Sequence, residues 1–301
     1  MQFCLEIWGT DYEKIKEACL LAEKLEYYGF YYGESLAEID LDCWSIISNL
    51  SAITKTIRLG PVITYLIPQY RNITLLAKQS TTLQEISNGR LEFRTGAGAT
   101  RNYAVQWWYP YGIDYPDSKD RVSLLDEGLE VLRLLWNKSD VYFSGKYYRI
   151  NGTSLNNPNK PIPITVAAKG NKMIHLALKH ADIWESSYLS SEKFAAVNSK
   201  FEETSRGQKI TKKIAKSIEL DVIIANSDSE LEYKKRLFAM ERGTAILSQI
   251  LRHSLVGKPD DIVQKVREYI DAGVEQFFLA FQDPFDYEAI QLFMNTVKEL
   301  K

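Results

Sequence analysis

Two carboxylates stand where apolar runs would bury them. Glu6 lies within Phe3-Cys4-Leu5-Glu6-Ile7-Trp8 and shares one face of an extended segment with Cys4 and Trp8, opposite Phe3, Leu5 and Ile7. A buried carboxylate is costly unless paired, so Glu6 has either a partner such as an arginine or a chemical task. Glu34 closes a second apolar run, Phe30 to Gly33, and reads either as an acid at a strand exit or as a capping or surface carboxylate. Both are candidate proton-transfer groups. Two backbone-rich segments add binding chemistry. Gly96-Ala97-Gly98 directly follows the run Leu91 to Thr95, where small residues admit a ligand close to the chain or simply make a turn. Ala168-Lys169-Gly170-Asn171-Lys172 lies between the run Ile162 to Ala167 and a helical pattern from about Asn171. Free N–H groups at a helix start beside lysines suit a phosphate, and a solvated turn is the competing reading.

The elements that must hold these residues alternate. Short apolar runs at Phe3–Trp8, Phe30–Gly33, Ile57–Thr64, Leu91–Thr95, Ile162–Ala167, Asp182–Glu185, Glu219–Ile224 and Gln276–Ala280 read as strands buried on both faces. Between them lie amphipathic stretches. One is predicted from about Tyr12 to Tyr27 with Gly29 at its C-cap, another from Asp42 to Thr54. A third carries Ile73, Leu76, Ala77, Ser80, Leu83 and Ile86 on one face, with Asn72 as N-cap and Gly89 as C-cap. Two aromatic runs around Ser144-Gly145 read as a β-hairpin, and residues 190–257 as a more polar, helical insert. This order predicts an α/β fold, a (β/α)8 TIM barrel with a hairpin excursion and a helical insert, in one domain over residues 1–301; an open doubly wound sheet is the alternative. In such folds ligands bind beyond the carboxyl ends of the strands, which is where Glu34 and both glycine-marked segments fall.

Composition narrows the classes of partner. Among 301 residues, 37 basic and 39 acidic side chains give a net charge of -2, without charged blocks, so nucleic acid and anionic membranes are poor partners. No apolar run approaches the ~18 residues of a membrane span. The N-terminus reads as a strand rather than a basic-then-apolar leader, which makes the cytoplasm the default location. Cys4, Cys19 and Cys43 lack metal-ligand spacing, as do His175, His180 and His253, so no metal site is expected.

Several segments together resemble the bacterial luciferase-like flavin oxidoreductases. They are Leu25-Glu26-Tyr27-Tyr28-Gly29-Phe30, Ile57-Arg58-Leu59-Gly60, Thr82 to Leu91, Ala181-Asp182-Ile183-Trp184 and Val256 to Ile262, and they occur in the family's order over nearly the whole chain. The resemblance implies a TIM barrel that binds FMN or the deazaflavin coenzyme F420, hydride transfer or monooxygenation on a small organic substrate, and a homodimer. It implies a cofactor ring against Val62, Ile63, Thr64, Gly96, Ala97, Gly98 and Ala99, with a cis Val62–Ile63 bond, and a cofactor phosphate at Ala168 to Lys172. Glu6 resembles a glutamate of the F420-dependent methylenetetrahydromethanopterin reductases that lies in the active site, and Glu34 is the second candidate acid. The chain also departs from the family. Ser35 stands where many relatives carry a histidine beside the cofactor, and Ala99-Thr100-Arg101-Asn102 lacks an acid that many carry. A serine does not titrate near neutral pH, so a mechanism that needs that histidine has no obvious carrier here. A flavin-binding homologue without turnover is the rival reading. Trp107-Trp108-Tyr109-Pro110-Tyr111 reads as a cover for the ring or as rim packing.

Overall fold

A computed structural model describes residues 1–300, with the side chains of residues 103–106 outside the description. In chain order the elements are β1 (Gln2–Ile7), α1 (Tyr12–Lys24), β2 (Gly29–Gly33), α2 (Cys43–Ile53), β3 (Arg58–Val62), α3 (Ile73–Ile86), β4 (Phe93–Gly96) and α4 (Arg101–Trp108). There follow α5 (Ser118–Asn137), β5 (Val141–Ser144), β6 (Arg149–Thr153), β7 (Ile164–Ala167), α6 (Asn171–His180), β8 (Ile183–Ser187) and α7 (Ser191–Gly207). The remainder is β9 (Ala215–Ile224), α8 (Asp228–Arg242), α9 (Thr244–His253), β10 (Leu255–Gly257), α10 (Pro259–Asp271), β11 (Gln276–Phe281) and α11 (Tyr287–Val297). Setting aside the β5–β6 hairpin and β10, this is the alternating order of a (β/α)8 barrel.

The chain divides into two compact units, residues 1–31 with 184–301, and residues 32–183. In the first, β1 runs parallel to β11 with Glu6 opposite Ala280, β11 runs parallel to β9, and the short β10 extends the far end of β9. In the second, β4 runs parallel to β7, and β3 meets β4 through the pairs Leu59–Leu91 and Thr64–Thr95. The barrel strands are largely apolar because both faces are covered: Phe3, Leu5, Leu59, Phe93, Ile164 and Leu279 are all buried.

Local chemistry explains where the helices begin. Asp11 and Asp42 each accept a hydrogen bond from a backbone N–H of the first turn, and Asn72 and Asp117 each accept two. A cap of this kind stabilises a helix by ~1 kcal/mol. The expected C-cap of α1 is different. The helix stops at Lys24, Glu26 takes the left-handed conformation at φ 60°, and Gly29 instead opens β2. Gly29 is required for space, since a Cβ there would lie 2.5 Å from the Tyr31 ring.

The segment Ser87-Asn88-Gly89-Arg90 is the joint that places β3 and β4. Asn88 and Gly89 turn the chain with φ of 55° and 89°. Arg90 then spends its guanidinium on backbone carbonyls, donating to Ser87, Ile57, Ser51 and Thr54 and to the Thr54 hydroxyl. One planar side chain thereby satisfies the end of α2, the entry to β3 and the end of α3. The β5–β6 turn is held similarly by Glu127, whose carboxylate accepts from the backbone N–H groups of Lys146, Tyr147 and Tyr148.

Candidate active site

At the exit of β2, Glu34 is buried and surrounded by donors. Its Oε2 accepts from Trp44 Nε1 at 3.3 Å and from the Thr64 hydroxyl, and its Oε1 accepts from the Tyr70 hydroxyl at 3.1 Å and from Arg71 Nη2. Burial pushes its carboxyl up from the usual carboxylate range, while Arg71, Thr64 and Tyr70 pull it back. Burial, followed by the neighbouring carboxylate, drives the Tyr70 phenol far above its ordinary value. Both oxygens are therefore engaged by four side chains, and Glu34 ties β2, α2, the exit of β3 and the 65–72 loop into one network. The carboxylate acts first as a structural anion. Sequence reading missed Tyr70 and Arg71, which lie 36 and 37 residues further along the chain.

The exits of β3 and β4 lie beside this network. The Val62–Ile63 peptide bond is cis, as the resemblance implies. Thr64 donates its N–H to Arg94 O at 3.0 Å, and the Thr95 hydroxyl donates to Thr64 O at 2.6 Å, which stitches the two exits together. At Gly96 a Cβ would meet the Ile63 side chain at 3.1 Å and the Ala167 Cβ at 3.2 Å. Gly98 has φ 80°, and a Cβ there would fall 2.2 Å from the Tyr115 hydroxyl, so only glycine fits. Arg121, not foreseen from the sequence, holds the loop that follows. It donates to Ala97 O at 2.8 Å, Ala99 O at 3.0 Å and Pro116 O at 2.6 Å, and packs its guanidinium over the Tyr115 ring at 4.3 Å. The Tyr115 hydroxyl adds a donor to Ala99 O at 3.1 Å.

A cavity of about 170 Å³ opens here. Val62, Ala99, Leu36 and Ile39 give it apolar surface, Tyr65, Trp107 and Trp108 give it aromatic surface, and Glu34, Ser35 and Asp40 supply its polar groups. Of the two expectations for the tryptophan run, packing is met at Trp108, and Trp107 and Trp108 also line the cavity. Trp108 lines the cavity and also packs in a buried cluster with Ile67, Ile113 and Tyr115, edge-on to Tyr65 and Tyr70.

The segment Ala168 to Lys172 forms the entry to α6. Gly170 is the N-cap and offers no side-chain acceptor, so the first-turn N–H groups lack the carboxylate or amide that caps α1, α2, α3 and α5. A phosphate fits that vacancy chemically. A Cβ added at Gly170 would meet nothing within 4 Å, so the approach is open.

Glu6 belongs to the other unit. It is 2 % exposed within β1. On the same unit, Tyr188 has the left-handed φ of 53° and donates to Glu219 Oε1 at 2.6 Å. Burial, with Glu219, Asp221 and Glu6 adding to it, raises the Tyr188 phenol well above its usual range. Asp221 is pushed up to about 6 by burial, partly offset by Arg242 at 3.5 Å.

Residues 6–242 match the luciferase-like monooxygenase family. The chain belongs to that family. It is 24% identical over 259 residues to an F420-dependent glucose-6-phosphate dehydrogenase of Amycolatopsis mediterranei, covering 77% of this chain and 74% of that protein. It is 30% identical over 142 residues to the 5,10-methylenetetrahydromethanopterin reductase of Archaeoglobus fulgidus, covering 46% of this chain and 39% of that one. Its fold matches an F420-dependent secondary alcohol dehydrogenase in complex with an F420–acetone adduct, with a TM-score of 0.86 at 17% identity over 100% of this chain and 99% of the other. The luciferase-like chain is accordingly a (β/α)8 barrel and an oxidoreductase, in a family of F420-dependent oxidoreductases and FMN monooxygenases.

Proposed function

We propose that this luciferase-like protein binds coenzyme F420 at the exits of β3, β4 and β7 and exchanges hydride with a small organic substrate held in the cavity beside Glu34. The observation that carries the reading is the shape of the β3 and β4 exits. Gly96 lacks the Cβ that would crowd Ile63 and Ala167, and Gly98 lacks the one that would strike Tyr115, so the two exits pack closely, and the cavity lined by Val62, Tyr65, Ala99, Trp107 and Trp108 opens beside them to receive a flat ring. The relatives named above as F420-dependent support the deazaflavin over FMN.

The cofactor, when bound, supplies the hydride chemistry. Every other task falls to the chain. Val62 and Ile63 on one side and Gly96 to Ala99 on the other form the wall for a ring. The uncapped start of α6, with Lys169 and Lys172 beside it, receives a phosphate. Glu34 fixes the 65–72 loop and so the position of Tyr65, while Tyr65, Trp107 and Trp108 keep water from the substrate. Glu6 is the candidate acid of β1.

Titrating the purified protein with F420 and with FMN, each followed by its own fluorescence, tests the reading. Saturable F420 binding is the expected result. Binding of FMN alone overturns the deazaflavin assignment, and binding of neither overturns the function. For Glu6, an E6Q variant that turns over at the wild-type rate removes that residue from the chemistry.

A further inference from the structure

Among the described residues, Glu34, Ser35 and Asp40 line the cavity outside its aromatic wall with polar side chains, and Glu34, the most buried of them, is saturated by its donors. The other two contact each other. Ser35 Oγ donates to Asp40 Oδ2 at 3.0 Å, while the Ala37 N–H donates to Ser35 Oγ at 3.3 Å. The serine hydroxyl is thereby aimed: its proton lies on the carboxylate and one lone pair is on the Ala37 N–H, which leaves the second lone pair as an acceptor. Asp40 in turn has a seat built for it. Gly33, the last residue of β2, would carry a Cβ only 2.8 Å from Asp40 Oδ1 and 2.9 Å from Oδ2.

We propose that Ser35 and Asp40 form a proton-transfer pair for the oxygen of a small alcohol or carbonyl compound bound in this cavity. The apolar and aromatic walls take the body of the substrate, and its oxygen meets Ser35. In the oxidising direction the substrate O–H proton passes to Ser35 Oγ as the serine's own proton passes to Asp40 Oδ2. The substrate C–H bond breaks with its electron pair going to the oxidised flavin or deazaflavin, and the C–O single bond becomes C=O. In the reducing direction each transfer reverses. Serine needs no ionised form of its own for this, since it gains and loses a proton together. The transfer thus has a carrier although the position holds no histidine.

Among the described residues, two titratable groups beside Asp40 keep their own protons near neutrality. On β2, burial raises the Tyr32 phenol to about 12. On α2, burial raises the Cys43 thiol well above its usual value, with Glu34, Asp42 and Asp40 adding to the effect and Arg71 opposing it. Glu34 is ion-paired with Arg71.

The redox direction rests on the function proposed above, whereas the pair itself is testable without cofactor or turnover. The probe is 4-nitrophenol, a hydroxyl compound that ionises near neutral pH and changes colour when it does. Bound to the wild-type protein it is expected to stay protonated to about one pH unit above its free value, because the carboxylate of Asp40, relayed through Ser35, favours the O–H form over a second negative charge. D40N returns the titration to the free value. S35A weakens binding about tenfold, the worth of one good hydrogen bond to a charged network, and S35T restores it. Thermal melts of the same variants show that each is folded. A D40N titration like the wild type, S35A binding like the wild type, or no binding of the probe to wild-type protein each overturns the proposal. Failure to bind F420 or FMN, measured separately, overturns only the function above.

Discussion

At the scale of single residues, the energetic centre of the site is the Glu34–Arg71 pair. The two side chains are 2% and 13% exposed, so removing either strands a charge where water does not reach. R71M is expected to destabilise the protein by about 3–5 kcal/mol, and the double variant E34Q/R71M by less than the sum of the single changes. Urea unfolding midpoints for the four proteins close that cycle, and additive losses would show that the pair is not coupled. Asp221 makes a prediction of opposite character. Its folded pKa of about 6 lies above the ordinary 3.8, so the folded protein holds a proton that the unfolded chain has released. The associated stability is fully present below about pH 4 and is lost as the pH rises through about 6, a difference of ~3 kcal/mol. D221N is therefore expected to be more stable than wild type at pH 8 and to flatten the stability profile between pH 4 and 6. An unchanged profile in denaturant titrations across that range would refute the assignment.

At the scale of elements, the loop after β4 is held by a lock with three parts: the positive φ of Gly98, the hydroxyl of Tyr115 and the guanidinium of Arg121. G98A forces a Cβ onto the Tyr115 hydroxyl in a conformation that L-residues avoid, and is expected to cost about 1–3 kcal/mol. R121A unties two carbonyls of the same loop and is expected to weaken cofactor binding about tenfold, read by the fluorescence titration; wild-type affinity would separate the loop from the cofactor. Most barrel strands were legible in the sequence because they are short, largely apolar runs buried on both faces. Glu34 was legible for the same reason, standing at the end of such a run. β10 was not read as a strand, since three residues carry no period. Nor did any spacing signal that Tyr70 and Arg71 reach Glu34, that Arg121 reaches Ala97 and Ala99, or that Asp40 reaches Ser35. Those contacts are made by chain reversals whose geometry depends on packing, and an aspartate in a polar stretch looks like any solvated turn residue. The end of α1 was misplaced by the same route, because Gly29 serves the Tyr31 ring rather than the helix.

At the scale of the whole molecule, ligand binding and folding are linked. A cofactor that binds only the native protein adds RT ln(1 + [L]/Kd), ~2.7 kcal/mol at a hundredfold excess over Kd. F420 at such an excess is expected to raise the melting temperature, measured by differential scanning calorimetry, while FMN leaves it nearly unchanged; equal shifts would place both cofactors on the same footing. The seat of Asp40 also reaches beyond this one chain. Because the space taken by that carboxylate is the space a β-carbon on residue 33 would need, the two positions are not free to drift independently. Any descendant that acquires a side chain at 33 must surrender or redirect the acid at 40 in the same lineage, so glycine and aspartate are expected to be inherited together or lost together.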